Sequence, residues 1–327
     1  MKGRKENEKK MEKRISEILD RSPKYIKDYY YTLMDKSYTT KYVYIQYVLS
    51  FINFVKNELD LDINDVNSFK KIKTSNISYY ITQLNGKDSI KSSRLYGVKT
   101  FFNYLINDGY ISVNPCDSVA KPKDREDKPI TSLDKNEIEI VKNNIMTNCG
   151  KDLTRKTMTD WAKRDYAIFM IGLSLGLRVT SLIEIDINDI DFDKKEIKVV
   201  EKGNKTRSIM FGSNIESVLK EWIQARTYIV KKSGIDIDAL FISNRVSRMS
   251  VGGVEKMVSK YTYNINKRIT PHKLRSTCAT TLYNASGDIY LTADRLGHRN
   301  VATTRKYAKI SEERKKKAAD AMDDILF

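Results

Sequence analysis

The 327-residue chain contains only two histidines, His272 and His298, both in its final fifth. Cysteine is nearly as scarce, with three copies, Cys116, Cys149 and Cys278, far apart in the sequence. That spacing excludes a disulfide framework and a thiolate zinc site, and it fits a reducing cytoplasm. Long apolar runs are missing as well. The longest, Tyr166 to Leu177, is about twelve residues, too short to span a bilayer and suited to a buried helix. The N-terminal segment is charged throughout and offers no apolar stretch for a signal peptide. Acidic residues are in deficit: 42 Asp and Glu stand against 59 Lys and Arg, a formal charge of +17. The excess favours a polyanionic partner, nucleic acid before a membrane surface. From composition alone, a soluble protein that is merely rich in lysine remains an alternative.

What is there divides at a proline cluster. Pro115, Pro122 and Pro129, interleaved with Lys121, Lys123, Asp124, Arg125, Glu126, Asp127 and Lys128, predict an extended, charged linker with little to bury. Ahead of it the pattern is helical. Tyr44, Val48, Phe51 and Val55 form one apolar stripe, and Leu95, Val98, Phe102 and Leu105 a second, which Gly109 ends. Two more helices are predicted near 23–35 and 75–84. Thirteen of the twenty tyrosines fall in residues 25–110, many beside lysines. Such rings serve equally well as core or as part of a DNA-gripping face. Lys91, Arg94 and Lys99 on the last of these helices are candidate phosphate contacts, and a solvated face accounts for them too.

Beyond the linker, Ser132 is the expected N-cap of a helix over 134–146, followed by a buried helix over 163–175. Ile197, Val199 and Val200, a turn through Lys202-Gly203-Asn204-Lys205, and Ile209 to Phe211 predict a β-hairpin with a lysine at its tip. The remainder reads as helix. Gly203-Asn204-Lys205-Thr206 lacks the glycine spacing of a phosphate loop and sits in a hairpin, which excludes nucleotide binding of that kind. No pair of carboxylates has metal-ligand spacing. The side chains left for chemistry are Arg178, Lys202, His272, Arg275, His298 and Tyr307. Singly, each has an ordinary structural explanation: an ion pair, a solvated lysine, a satisfied core histidine.

In combination and in this order, the set closely resembles the tyrosine recombinases, or phage integrase family. The first motif is Leu175-Gly176-Leu177-Arg178-Val179-Thr180-Ser181-Leu182, and the hairpin lysine stands in Glu201-Lys202-Gly203-Asn204-Lys205-Thr206-Arg207. The second motif, Thr270-Pro271-His272-Lys273-Leu274-Arg275, continues through Leu296-Gly297-His298 to Thr303-Thr304-Arg305-Lys306-Tyr307. The resemblance implies a mainly α fold with a small antiparallel β-sheet, an N-terminal helical bundle and a C-terminal α+β catalytic domain that together clamp DNA. The expected organisation is a basic N-terminal extension over 1–20, a helical core DNA-binding domain over 21–112 and a linker over 113–131. A catalytic domain over 132–310 and a tail over 311–327 follow, the tail ending in Ile325-Leu326-Phe327 and suited to docking on a neighbouring protomer or on its own domain. The segment ahead of the helical domain is too short for the additional arm-binding domain of some integrases.

The implied reaction cuts and rejoins DNA at a specific site through a 3′-phosphotyrosyl link and a four-way junction, without ATP, metal or cofactor. Tyr307 is the implied nucleophile, and Arg178 and Arg275 fork onto the phosphate oxygens. His272 is the candidate base and His298 a hydrogen-bond donor to the phosphate. Lys202 is the candidate general acid, ahead of Lys205. Lys205 and Arg207 are further candidate DNA contacts. The implied partners are double-stranded DNA carrying a recombination site and a homotetramer of the chain, with no membrane. The task is integration or excision of a mobile element, plasmid resolution or chromosome dimer resolution, with a mobile-element integrase the expectation. Two other readings are a DNA-binding architectural protein that has lost cleavage and a topoisomerase that nicks and reseals one strand.

Several positions depart from the family pattern. Ser181 stands where Glu or Asp is usual, which leaves the supporting carboxylate to Glu184 or absent. Ser276 replaces a common histidine, with no expected effect. Glu201 stands where glycine is common, and a pairing with Lys202 or Lys205 is expected.

Overall fold

The computed structural model describes residues 2–122, 130–147, 159–201, 205–307, 316 and 319–324. Lys202 and the turn to Asn204, Cys149, the charged stretch 123–129 and the terminal Ile325 to Phe327 lie outside the described residues. The chain forms two compact units, Met1–Lys128 and Pro129–Phe327.

The first unit is helical: α1 (Lys2–Asp20), α2 (Lys24–Thr32), α3 (Tyr38–Leu59), α4 (Thr74–Gln83) and α5 (Asp88–Asn107). Helix α3 lies against α1, α2 and α5. The two predicted stripes face the core, with Val48, Phe51 and Val55 buried on α3 and Leu95, Val98, Phe102 and Leu105 on α5. Gly109, at φ +75°, follows the end of α5 as expected. Aromatic rings fill the centre edge to face: Phe101 meets Tyr29 at 5.4 Å and Phe69 at 5.2 Å, and Phe51 meets Tyr80 at 5.2 Å. Edge-to-face contact sets the positive rim of one ring on the negative face of the next. The tyrosines therefore divide: Tyr25, Tyr29, Tyr80 and Tyr104 are core, whereas Tyr31, Tyr79 and Tyr96 are exposed.

One expectation for this unit is corrected, that for the proline-rich stretch, and the basic N-terminal extension has a structure that its sequence did not predict. The charged N-terminal segment is a helix, and its Ile15 is buried. The proline-rich stretch has more to bury than its composition suggests, because Cys116 and Val119 join the core. Asn114 fastens it, donating to the Lys99 carbonyl at 3.1 Å and to Asn103 Oδ1 at 2.6 Å. Its own Oδ1 accepts from the Cys116 backbone N–H at 2.9 Å.

In the second unit, α6 (Lys135–Met146) and α7 (Thr159–Leu175) precede α8 (Val179–Ile183). Asp134, rather than Ser132, caps α6: its carboxylate accepts from the Glu137 N–H while Glu137 accepts from the Asp134 N–H, both at 2.9 Å. A carboxylate there satisfies an orphan amide and favours the positive helix end, which the serine two residues upstream cannot reach. Strands β1 (Ile190–Asp191), β2 (Glu196–Val200) and β3 (Thr206–Met210) form an antiparallel sheet in that order, with Ile197 opposite Ile209 and Val199 opposite Arg207. The hairpin was legible, but the two-residue β1 was too short to show an alternation.

Helices α9 (Ser213–Ser233), α10 (Val251–Tyr261), α11 (Pro271–Ser286) and α12 (Ile289–Leu296) complete the unit, followed by 3₁₀ turns at Val301–Thr303 and Arg305–Tyr307. The apolar α7 is central, packed on α6, α9 and α11. Among the described residues, no helix is long and apolar enough to cross a membrane.

Candidate active site

Helix α7 stops at Gly176, whose φ of +59° suits a residue without a Cβ. Space demands glycine too: a Cβ there would lie 2.8 Å from Leu296 and 2.9 Å from the Cys278 sulfur. The turn delivers Arg178 to the N-cap of α8, where its side chain is about one-third exposed. One guanidinium nitrogen of Arg178 donates to Glu201 Oε2 at 3.1 Å.

Helix α11 opens with Pro271 after the N-cap Thr270, so the fixed φ of proline starts the helix and sets His272 in its first turn. Arg275, one turn on, is 2 % exposed. It donates to the Gly176 carbonyl at 2.6 Å and to the Leu296 carbonyl. Helix α12 ends at Gly297, again left-handed at φ +62°. A Cβ at Gly297 would lie 2.6 Å from both carboxylate oxygens of Glu201. The next residue is His298, whose Nδ1 shares a 2.8 Å hydrogen bond with Thr304 Oγ1. Thr304 is itself fully buried and links the two 3₁₀ turns. Tyr307 closes the second turn, 3 % exposed, with its ring stacked on that of His298 at 6.5 Å and 17°. Lys306 Nζ lies 5.0 Å from the Tyr307 ring centre.

The cations act on one another. Burial, with Arg178 beside it, pulls the Arg275 guanidinium down to about 10. Burial first, then Arg275 and Arg178, hold the His298 imidazole down to about 4. His272 is lowered from its ordinary value by burial, then by Lys306 and Arg275. Both rings are thus neutral near pH 7 and able to accept a proton. A cluster of cations around neutral imidazoles, with a phenol stacked among them, is arranged to receive an anion and move a proton beside it. Among the described residues, no group of three or more His, Cys, Asp or Glu side chains gathers in a way that could hold a metal ion.

Residues 133–314 match the phage integrase family. The chain belongs to that family, the tyrosine recombinases. Its relatives include tyrosine recombinase XerC of Mannheimia succiniciproducens, 28 % identical over 77 % of this chain and 81 % of that protein. XerC of Caldanaerobacter subterraneus is 27 % identical over 90 % of this chain and 84 % of its own length. Among solved structures, XerH recombinase bound to palindromic difH substrate in a post-cleavage complex superposes with a TM-score of 0.68 at 20 % identity, covering 88 % of this chain and 81 % of that one. A lambda integrase dimer bound to a core site gives 0.65 at 15 % identity, covering 87 % and 94 %. These likenesses establish the fold, mainly helical with a small antiparallel sheet.

The recombinase brings Arg178, His272, Arg275, His298 and Tyr307 to one place, from α8, α11, the end of α12 and a 3₁₀ turn. Lys202 lies outside the described residues, whereas Lys205 is described and exposed. Arg207 is turned inward. Its Nε donates to Glu201 Oε1 at 3.2 Å, and its terminal nitrogens to the Asp294 and Arg295 carbonyls at 3.1 and 2.9 Å. Among the described residues, Glu201 pairs with Arg178 and Arg207, because β3 returns Arg207 to its side, and the expected partner Lys202 lies outside those residues.

Ser181 is buried and donates to the Val200 carbonyl at 2.8 Å, so it fastens β2 instead of supplying a charge. Ser276 donates to the His272 carbonyl at 3.2 Å. Of the other candidate DNA contacts, Lys99 is held by Asp117 at 2.6 Å, and Lys91 is half-buried on α5. Arg94 lies 5.8 Å over the Tyr47 ring, with its Nε buried and without a hydrogen-bond partner. Sequence reasoning passed over Lys306 and Thr304. Their adjacency to Tyr307 was the available signal.

Proposed function

We propose that Tyr307 is the nucleophile of a DNA strand exchange in which its phenolic oxygen attacks the scissile phosphorus. The observation that carries this reading is the stacking of Tyr307 on His298, within the field of Arg178, Arg275 and Lys306. Tyr307–phosphorus bond formation displaces the 5′-oxygen and leaves a 3′-phosphotyrosyl link. His272, neutral near pH 7, takes the phenolic proton. Arg178 and Arg275 neutralise the non-bridging oxygens, and His298 hydrogen-bonds the phosphate. Lys202 protonates the departing 5′-oxygen. Attack by a 5′-hydroxyl of a second strand reverses the chemistry and conserves the bond energy, so no nucleotide cofactor is required.

In the first unit, a cleft of about 400 Å³ is lined by Val43, Tyr44, Tyr47, Ser92, Ser93 and Tyr96, and the Arg94 guanidinium lies over the Tyr47 ring. Hydroxyls and rings of this kind suit a sugar–phosphate backbone. The active assembly in this reading is a homotetramer holding two duplexes in the cytoplasm.

The test uses duplexes selected by the full chain from a randomised library, then nicked beside the cleaved phosphate so that the leaving strand diffuses away. Wild-type protein is expected to form a covalent protein–DNA adduct that Tyr307→Phe does not form. No adduct on any selected duplex would leave a DNA-binding protein without cleavage. Relaxation of supercoiled DNA without strand exchange would instead mark a topoisomerase.

A further inference from the structure

We propose that Glu201 is a positioning residue for this recombinase, supplying from the root of the lysine hairpin the carboxylate that orients Arg178. The proposal rests on the function argued above. Glu201 directly follows β2, and its N–H donates to the Lys205 carbonyl at 2.7 Å, which closes the base of the hairpin. Its side chain is 13 % exposed and splits its oxygens, Oε2 to Arg178 at 3.1 Å and Oε1 to Arg207 at 3.2 Å. Arg207 in turn holds the last carbonyls of α12, two and three residues before the glycine that precedes His298. Gly297 is the surface against which the carboxylate lies, and any side chain there would collide with it. One carboxylate thus joins the hairpin, Arg178 and the segment that carries His298.

The physical need is clear from the charges. Arg178 and Arg275 sit close enough to depress the Arg275 guanidinium, and Arg207 adds a third positive charge. Buried like charges repel and would splay without a counter-charge. A guanidinium stabilises a developing phosphorane charge only if it is already aimed when the reaction occurs. A monodentate contact from Glu201 fixes one nitrogen of Arg178 and leaves the other N–H groups for phosphate. Ser181, whose hydroxyl is committed to the Val200 carbonyl, cannot do this.

The experiment compares wild type, Glu201→Gln and Glu201→Gly in single-turnover adduct formation on the selected nicked duplexes. Each is measured on an ordinary phosphodiester and on a methylphosphonate at the cleaved position, where one charged oxygen is replaced by a neutral methyl. Both variants are expected to be slowed about 10- to 100-fold on the phosphodiester, the range for losing a group that orients an essential ligand-binding side chain. Duplex affinity should stay close to wild type, and both variants should remain folded with a lowered melting temperature. On the methylphosphonate most of that deficit should vanish, because there is less charge for Arg178 to neutralise. Variants as fast as wild type would overturn the proposal, as would equal slowing on both substrates, which means action other than through Arg178. Loss of folded protein in both variants would also overturn it, in favour of a purely structural pair. Absence of an adduct with wild type itself strikes the function reading, a result separate from all of these.

Discussion

Burial among arginines depresses the imidazoles of His298 and His272, and this fixes the direction of the pH response. An unfolded chain releases those protons near pH 6.5, the ordinary histidine value, whereas folded His298 resists protonation down to about 4. Between these values the unfolded state binds more protons, so stability is complete above about 6.5 and is lost as pH falls toward 4. Both rings remain partly solvated, which makes the effect smaller than full burial would give. A thermal melt is expected to fall by a few degrees from pH 7 to pH 5, and His298→Gln should flatten that slope. An unchanged slope in the variant would place the titration elsewhere. At this scale the sequence was informative because its two histidines are rare, and because Arg178, Arg275 and Tyr307 stand in order with them, although tyrosine itself is abundant. The partner of Arg178 was not legible, since Glu201 is 23 residues away and reaches it only through the return of the sheet.

Helices showed themselves wherever an apolar stripe had one consistent face, as on α3 and α5. Elements set by a cap or by a few residues did not, which is why α1, β1 and the Asp134 capping box emerged only in three dimensions. Helix α12 illustrates how an element's end can matter more than its length. Eight residues are stopped by Gly297 in a left-handed conformation, with the Glu201 carboxylate against it. Gly297→Ala should therefore destabilise the second unit by about 1–2 kcal/mol from backbone conformation alone, and further from crowding. The measurement is a lower denaturant midpoint together with slower adduct formation, since His298 is the next residue. A variant as stable as wild type would show that the α12 terminus relaxes freely.

For the molecule as a whole, the charge of +17 is the dominant fact about its encounter with DNA. If each protomer neutralises about six phosphates, the logarithm of affinity should fall against the logarithm of salt concentration with a slope of roughly −5. A slope near zero in a titration of the full chain would contradict backbone binding. The two-unit organisation and helical class could be read from proline placement and periodicity. The packing of residues 114–119 onto the first unit could not, because Asn114 makes that docking through hydrogen bonds that leave no pattern in hydropathy.

Arg275 carries one further consequence. It bridges the carbonyls that end two helices, Gly176 after α7 and Leu296 at the close of α12. In the proposed reaction the same side chain is both rivet and reagent. Damage to it loosens the frame and disarms the chemistry together, so a lost activity there says little about mechanism. An inert copy with which to test the proposed strand exchange is better made at Tyr307, where a single hydroxyl can be removed and the ring left in place.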